Sequence, residues 1–274
     1  MKNRKLILIA VFAILLAVCA GIFFWPEISD QWYRHRQKQV IAEYEKTAAD
    51  AGSEKEQSIL AEAEAYNRTL LEKHFSYEIT EQEKRAYDSV LDITETGVMG
   101  YIEIPKIDAA LPIYHGTDEE VLQKAIGHIE GSSLPVGGTG THTVLSGHRG
   151  LPTAKLFSDI DQLEEGDRFL IRVLNRKMTY EVDQILTVLP NETEALDIDP
   201  EKDYCTLITC TPYGVNTHRL LVRGIRVPET EQEHTEHETT TRKPAEELLF
   251  AAMLCAGIIL CALLIRRSRK NRGT

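Results

Sequence analysis

The chain has 274 residues with 42 acidic and 31 basic side chains, a formal charge of −11. Eight of the basic residues flank two terminal apolar runs on their outer sides, leaving 23 against 42 acidic residues in the middle. So acidic a middle excludes nucleic acid and anionic polymers as partners and reads as an extracellular, soluble surface.

Residues 1–5 carry Lys2, Arg4 and Lys5, and residues 6–25 are apolar without a charge. About 20 such residues, at ~1.5 Å rise each, match the hydrocarbon thickness of a bilayer. Val18-Cys19-Ala20 offers small residues for a signal peptidase, but the run reads as an uncleaved transmembrane anchor; Val18 is a poor neighbour for a lipidated Cys19. Residues 26–98 form a helical N-terminal region, since the stretch from Ser29 to Asn67 is rich in Glu, Ala, Gln and Lys with few breakers. Its plainest role is a spacer leaving the membrane.

From Met99 the pattern changes to short, alternating apolar strands at 99–104, 141–146, 168–174, 177–188, 204–210 and 218–227. Asn175-Arg176 suits a tight turn, and short helices are expected over 118–126 and within 153–163. Many strands with few helices imply a mainly β domain, a closed or nearly closed barrel over 99–228. Residues 229–247 are a linker rich in Glu, His and Thr, where His234 and His237 read as solvated rather than metal-binding. Residues 248–265 form a second apolar span, followed by a basic tail at 266–274. Two transmembrane helices with cytoplasmic basic flanks place the middle of the chain outside the membrane.

Three of the five cysteines, Cys19, Cys255 and Cys261, lie in the apolar runs. Cys205 and Cys210 share one strand, about 16 Å apart at ~3.3 Å per residue and on opposite faces, so they cannot form a disulfide. Cys205 reads as the buried thiol. If the strands at 204–210 and 218–227 pair as a hairpin, Cys210 lies beside Arg219, and a permanent cation biases a thiol toward its nucleophilic thiolate. His148 closes the strand Thr141-His142-Thr143-Val144-Leu145-Ser146 in a Gly-flanked loop. Ser146-Gly147-His148 is not a serine-hydrolase site, because no nucleophile elbow surrounds Ser146. His142 lies two pleats back and reads as a packed core residue.

Thr206-Leu207-Ile208-Thr209-Cys210 followed by Thr211-Pro212-Tyr213-Gly214-Val215-Asn216-Thr217-His218-Arg219 resembles the signature of sortase cysteine transpeptidases. Gly100-Tyr101-Ile102-Glu103-Ile104-Pro105, Leu111-Pro112-Ile113-Tyr114-His115-Gly116, Gly131-Ser132-Ser133-Leu134-Pro135 and Leu145-Ser146-Gly147-His148-Arg149-Gly150-Leu151-Pro152 resemble the class C, pilin-polymerising branch. The resemblance covers about half the chain and fits two membrane anchors. It implies Cys210 as nucleophile, His148 as general acid/base and Arg219 as oxyanion stabiliser, with no cofactor. His115, His128 and His218 are weaker candidates for the acid/base role. It implies partner proteins bearing LPxTG-like sorting signals cut between Thr and Gly, and a lysine amine on the next pilin as acceptor.

Class C members carry an N-terminal lid with an Asp-Pro-aromatic motif. Here Lys73-His74 stands where Asp-Pro is expected, and Phe75 is the aromatic nearest to it. Lys73 beside Arg219 would repel it, so the lid is expected to be absent, loose or anchored differently, with a plain surface connector as the alternative. The rival functions are attachment of proteins to cell-wall peptide amines, simple cysteine endopeptidase activity, and a non-catalytic assembly scaffold. No metal site is expected, and Asp197-Ile198-Asp199-Pro200-Glu201 reads as a solvated acidic loop.

Overall fold

The structure, a computed structural model, describes residues 2–71, 73–77 and 79–228. The expected linker, second apolar span and basic tail, with His234 and His237, lie outside the described residues.

Helix α1 spans Lys2–Asp50 and is long and apolar enough near its start to cross a membrane. Beyond the apolar run, Asp30, Gln37, Ile41, Tyr44 and Ala48 are buried, spaced three, four or seven apart as a helix packed by one stripe requires. The Tyr44 hydroxyl donates to the Met99 carbonyl (2.9 Å) and accepts from the Leu174 amide (2.9 Å), tying the helix to a strand and to a turn between two others. The expected continuous helix from Ser29 to Asn67 is divided: Gly52, at φ 76°, breaks the chain before α2, Ser53–Arg68. That conformation is easily adopted only by glycine. Helix α3, Glu81–Asp88, opens on a capping box between Thr80 and Glu83.

Eight strands close into a barrel: β1 (Val98–Ile104), β2 (Ala109–His115), β3 (Ile126–His128), β4 (Thr141–Ser146), β5 (Arg168–Val173), β6 (Arg176–Val188), β7 (Asp203–Thr211) and β8 (His218–Val227), arranged β1-β2-β3-β4-β7-β8-β6-β5. The expected helix at 118–126 is one turn, α4 (Glu119–Leu122), because parallel pairing with β2 claims Ile126 for β3. The expected helix within 153–163 is only a 3₁₀ turn at Ile160–Gln162, pinned by buried Phe157, Ile160 and Leu163. The β5–β6 turn falls on Leu174 and Asn175, since Val173 and Arg176 are still paired and Leu174 takes φ 54°.

The barrel interior is filled by Ile102, Ile104, Phe169, Ile171, Val173, Met178, Tyr180, Val182, Cys205, Leu207, Leu220 and Val222. Phe169 and Tyr180 stack with ring centroids 5.6 Å apart. A second apolar cluster lies on the outer face of the same wall: Val144 of β4, Ile208 of β7 and Leu221 of β8, with Ile129 and Leu196. Strand alternation produces the two clusters, since neighbours in sequence point to opposite faces. A bulge between Val182 and Gln184 reverses the parity of β6, so Leu186 and Val188 join the outer cluster.

Candidate active site

Three neighbouring strands end together at one rim of the barrel. β7 and β8 pair antiparallel with Cys210 directly opposite Arg219, so the two residues project from the same face. That face is the outer one, shared with Ile208 and Leu221. β4 runs parallel to β7 on its other side, with Ser146 level with Ile208. Past the last ladder pair the alignment continues: the Gly147 amide donates to the Ile208 carbonyl (3.1 Å), and the Thr209 hydroxyl donates to the Gly147 carbonyl (2.8 Å). Thiol and guanidinium therefore share one lateral row, and His148 follows in the loop that leaves β4 at the same rim.

Gly147 is required at its position. A Cβ there would come within 2.7 Å of the Phe157 ring and 2.9 Å of Ile126, so only glycine lets the loop close over the barrel end. The Phe157 amide in turn donates to the His148 carbonyl (3.2 Å). The His148 Nε2 faces the Glu119 carboxylate at 3.8 Å. The Arg219 guanidinium donates to the carbonyls of Asn216 (3.3 Å) and His218 (3.1 Å), which hold the fork against its own loop. Cys210 is free and half-buried, whereas Cys205 is free and wholly buried. Burial, with Asp203 nearby, pushes the Cys205 thiol well above its ordinary range and makes it inert.

The other four candidate histidines are each held by neighbouring groups. His142 Nδ1 donates to the Asp197 carbonyl (3.0 Å), so its Nε2 accepts from the Thr206 hydroxyl (2.7 Å). Burial lowers its pKa to about 4. His128 is held likewise between the Ser133 carbonyl (2.8 Å) and the Tyr87 hydroxyl (3.0 Å), and burial lowers it to about 3. His115 is directed at the Val90 and Gly97 carbonyls (2.7 and 3.1 Å). His218 is paired with Thr211 across the β7–β8 hairpin and bonds Thr217 through Nδ1 (2.9 Å).

The segment before α3 crosses the outer face. Phe75 packs on the cluster that contains Ile208 and Val188, and its amide donates to Asp197 Oδ1 (2.8 Å) while His74 Nδ1 meets Asp197 Oδ2 (3.1 Å). Burial raises the Asp197 carboxyl, but the Phe75 amide and His74 outweigh it and hold it below the usual carboxylate range. Asp197, expected in a solvated acidic loop, is thus the staple for this segment. Lys73 bonds Glu83 of α3 (2.6 Å) rather than standing free beside Arg219. Sequence reasoning missed Tyr77, whose ring meets Phe75 edge-on at 4.9 Å. Burial raises its phenol and the Arg219 charge opposes that rise, so Tyr77 lies within electrostatic reach of the guanidinium. Two aromatics within three residues were the available signal. Among the described residues no cluster of His, Cys, Asp or Glu has metal-binding geometry.

A closed eight-stranded barrel with a half-buried cysteine opposite an arginine at its rim has the arrangement that thiol chemistry on a barrel requires. A family model described as the sortase domain matches residues 102–227. Sortase D of Bacillus subtilis is 36% identical over 137 residues, which are 48% of this chain and 66% of that protein, so the chain spans just under two thirds of its length. The crystal structure of sortase C1 from Streptococcus agalactiae matches with 52% identity and a TM-score of 0.68, over 70% of this chain and 100% of that one. Sortase C of Streptococcus pneumoniae, whose structure is described as giving insight into catalysis and pilin substrate specificity, matches with 44% identity and a TM-score of 0.62, over 70% and 98%. The chain belongs to the sortase family of cysteine transpeptidases, and these two structural neighbours are sortases of the C type.

Proposed function

We propose that this chain is a membrane-anchored class C sortase. It cleaves an LPxTG-like signal between Thr and Gly, holds the acyl fragment on Cys210 and passes it to a lysine amine of another pilin subunit. The observation that carries this reading is the pairing of Cys210 with Arg219 across β7 and β8, with His148 in the loop that leaves β4 at the same rim. The Cys210 thiolate attacks the Thr carbonyl carbon, and the negative charge moves to its oxygen. Arg219 donates to that oxyanion; its planar donors never lose their protons. As the tetrahedral intermediate collapses, the C–N bond breaks and His148 as imidazolium protonates the leaving amine. Neutral His148 then accepts a proton from the acceptor amine as it attacks the thioester, and Cys210 leaves as thiolate.

Exclusion of water separates transfer from hydrolysis. The apolar outer cluster and the Phe75–Tyr77 pair support that role, the stapled segment acting as a lid anchored through Asp197. In this reading Lys73 belongs to the hinge side, bonded to α3, and His74 and Phe75 to the latch. The neighbours of the sortase C type support pilin polymerisation over attachment to cell-wall peptide amines.

Incubation of the full chain with a labelled LPxTG-bearing pilin and either a second pilin or wall-precursor amines tests this. A covalent pilin–pilin product through a lysine is expected. A wall-amine adduct alone would transfer the reading to cell-wall attachment. Release of free acid regardless of amine would make the protein an endopeptidase, and pilus formation by the Cys210→Ala variant would make it a scaffold.

A further inference from the structure

The membrane end of α1 and the catalytic end of the barrel coincide. β6 runs from Arg176, beside the Leu174 turn, to Val188, which pairs with Arg219. Tyr44 bonds at the Leu174 turn, so that part of α1 lies at the end of the barrel away from Cys210. Fourteen residues earlier, about 21 Å along a helix, Asp30 accepts from the Lys155 amide (2.9 Å) and Ser29 donates to the Thr153 carbonyl (2.9 Å). Both partners belong to the loop that follows His148. The helix therefore descends along the barrel toward the thiol as it approaches its apolar run.

That run ends at Trp25, and the next two residues, Pro26 and Glu27, line a cavity of about 400 Å³ together with Arg149, Leu151 and Tyr213. Tyr213 belongs to the loop joining Cys210 to Arg219. Tyr213 and Val215 are each 64% exposed, the two most exposed large apolar side chains among the described residues beyond α1, and Leu189, next to Val188 at the same rim, is 44% exposed. Beyond the Arg149 guanidinium over the Tyr213 ring at 5.8 Å, a water-facing loop gains little from such side chains, whereas the headgroup layer of a bilayer favours an aromatic with a polar tip. Trp25 and Trp32, 62% and 53% exposed and seven residues apart on one helical face, suit the same layer. Glu27, Asp159 and Asp161 around the cavity mean that attraction to anionic lipid charge is not the driving force.

The geometry points to the β7–β8 loop as a membrane contact: Tyr213 and Val215 rest in the interfacial layer of the bilayer that holds α1. The Cys210 row then opens at the membrane surface, and a peptide emerging from the same bilayer meets it directly. This rests on the reading of α1 as a transmembrane anchor.

The test uses the full chain in phosphatidylcholine vesicles, with lipids brominated near the headgroup as quenchers. The chain has two tryptophans, Trp25 and Trp32, so Trp25→Phe/Trp32→Phe/Tyr213→Trp carries one reporter at the loop. Trp25→Phe/Trp32→Phe/Thr139→Trp carries one in the loop entering β4, at the opposite end of the barrel. Quenching of the Tyr213→Trp reporter by about twofold, insensitive to salt, with the Thr139→Trp reporter unaffected, is the expected result for an interfacial side chain. Val215→Trp gives a second reading should Tyr213→Trp fold poorly. Equal, weak quenching at both ends overturns the contact. The single variant Trp32→Phe, reporting from Trp25, tells the two failures apart: quenching there with none at the loop refutes the contact alone, and no quenching there refutes the anchor and the contact with it.

Discussion

Cys205 and Cys210 lie five residues apart on β7 and have opposite fates. Cys205 faces the barrel interior, among Leu207, Tyr180 and Phe169, and is wholly buried with its thiol pushed up. Cys210 faces outward at the rim, half-buried and paired with Arg219. Strand parity alone separates them, because an odd spacing sends two side chains to opposite faces. Residue type provides a sulfur; the face on which it stands decides whether it packs or reacts.

Substitution at the two sulfurs sharpens the contrast most. Cys210→Ala is expected to abolish acyl transfer while leaving the denaturation midpoint within about 1 kcal/mol of the parent, as a half-exposed position permits. Cys205→Ser should do the reverse, costing about 2 kcal/mol through a hydroxyl buried without a ready partner, with activity per folded molecule retained. Similar activity losses from both would erase the comparison. Arg219→Ala is expected to lower kcat by about 10²–10³, near 3 kcal/mol, if its donors serve the oxyanion. An effect confined to KM would assign it to ground-state binding instead.

A third test sets the buried histidines against His148. His142 has a folded pKa of about 4 and His128 of about 3, both below the ordinary 6.5. The folded state keeps them neutral, so their stabilisation is complete above pH ~6.5 and declines as pH falls toward those values, the unfolded chain taking up protons first. For His142 the decline amounts to roughly 3 kcal/mol. Urea unfolding from pH 7 to 4 should show this, and His142→Gln should roughly halve the dependence, leaving the share of His128, without moving the activity profile. The smallest effect belongs to the staple: Asp197→Ala should raise the rate of Cys210 modification by a thiol reagent a few-fold, about 1 kcal/mol or less, by releasing the half-exposed segment that carries Phe75. An unchanged rate would mean that this segment does not guard the thiol.

Much of this architecture was legible in the sequence. The β8 and β4 boundaries follow from alternation and agree with the structure at both ends, and the long β6 was evident from its apolar pattern, though not its bulge at Val182–Gln184. β2 was not, because Pro112 interrupts it and removes a donor; Leu111, Pro112 and Ile113 are buried nonetheless. β3 has three residues, too few for any period to declare itself. The capping box Thr80…Glu83 announced α3, but that signal was not taken up. At the site, the facing of Cys210 and Arg219 could be read from the spacing of the two strands. Asp197 could not: its bond to Phe75 joins residues 122 positions apart, and only the tertiary fold brings them together. Tyr77 was passed over for the same reason, since its relation to Arg219 exists only across the outer face.

The central claim, that the outward thiol of β7 carries the acyl group, is tested most directly by mass spectrometry of the intact chain quenched in acid during turnover of an LPxTG peptide without an amine. A thioester mapped to Cys210 and lost in Cys210→Ala is the expected result. An adduct on Cys205, or peptide cleavage with no protein-bound acyl at any time, would contradict it.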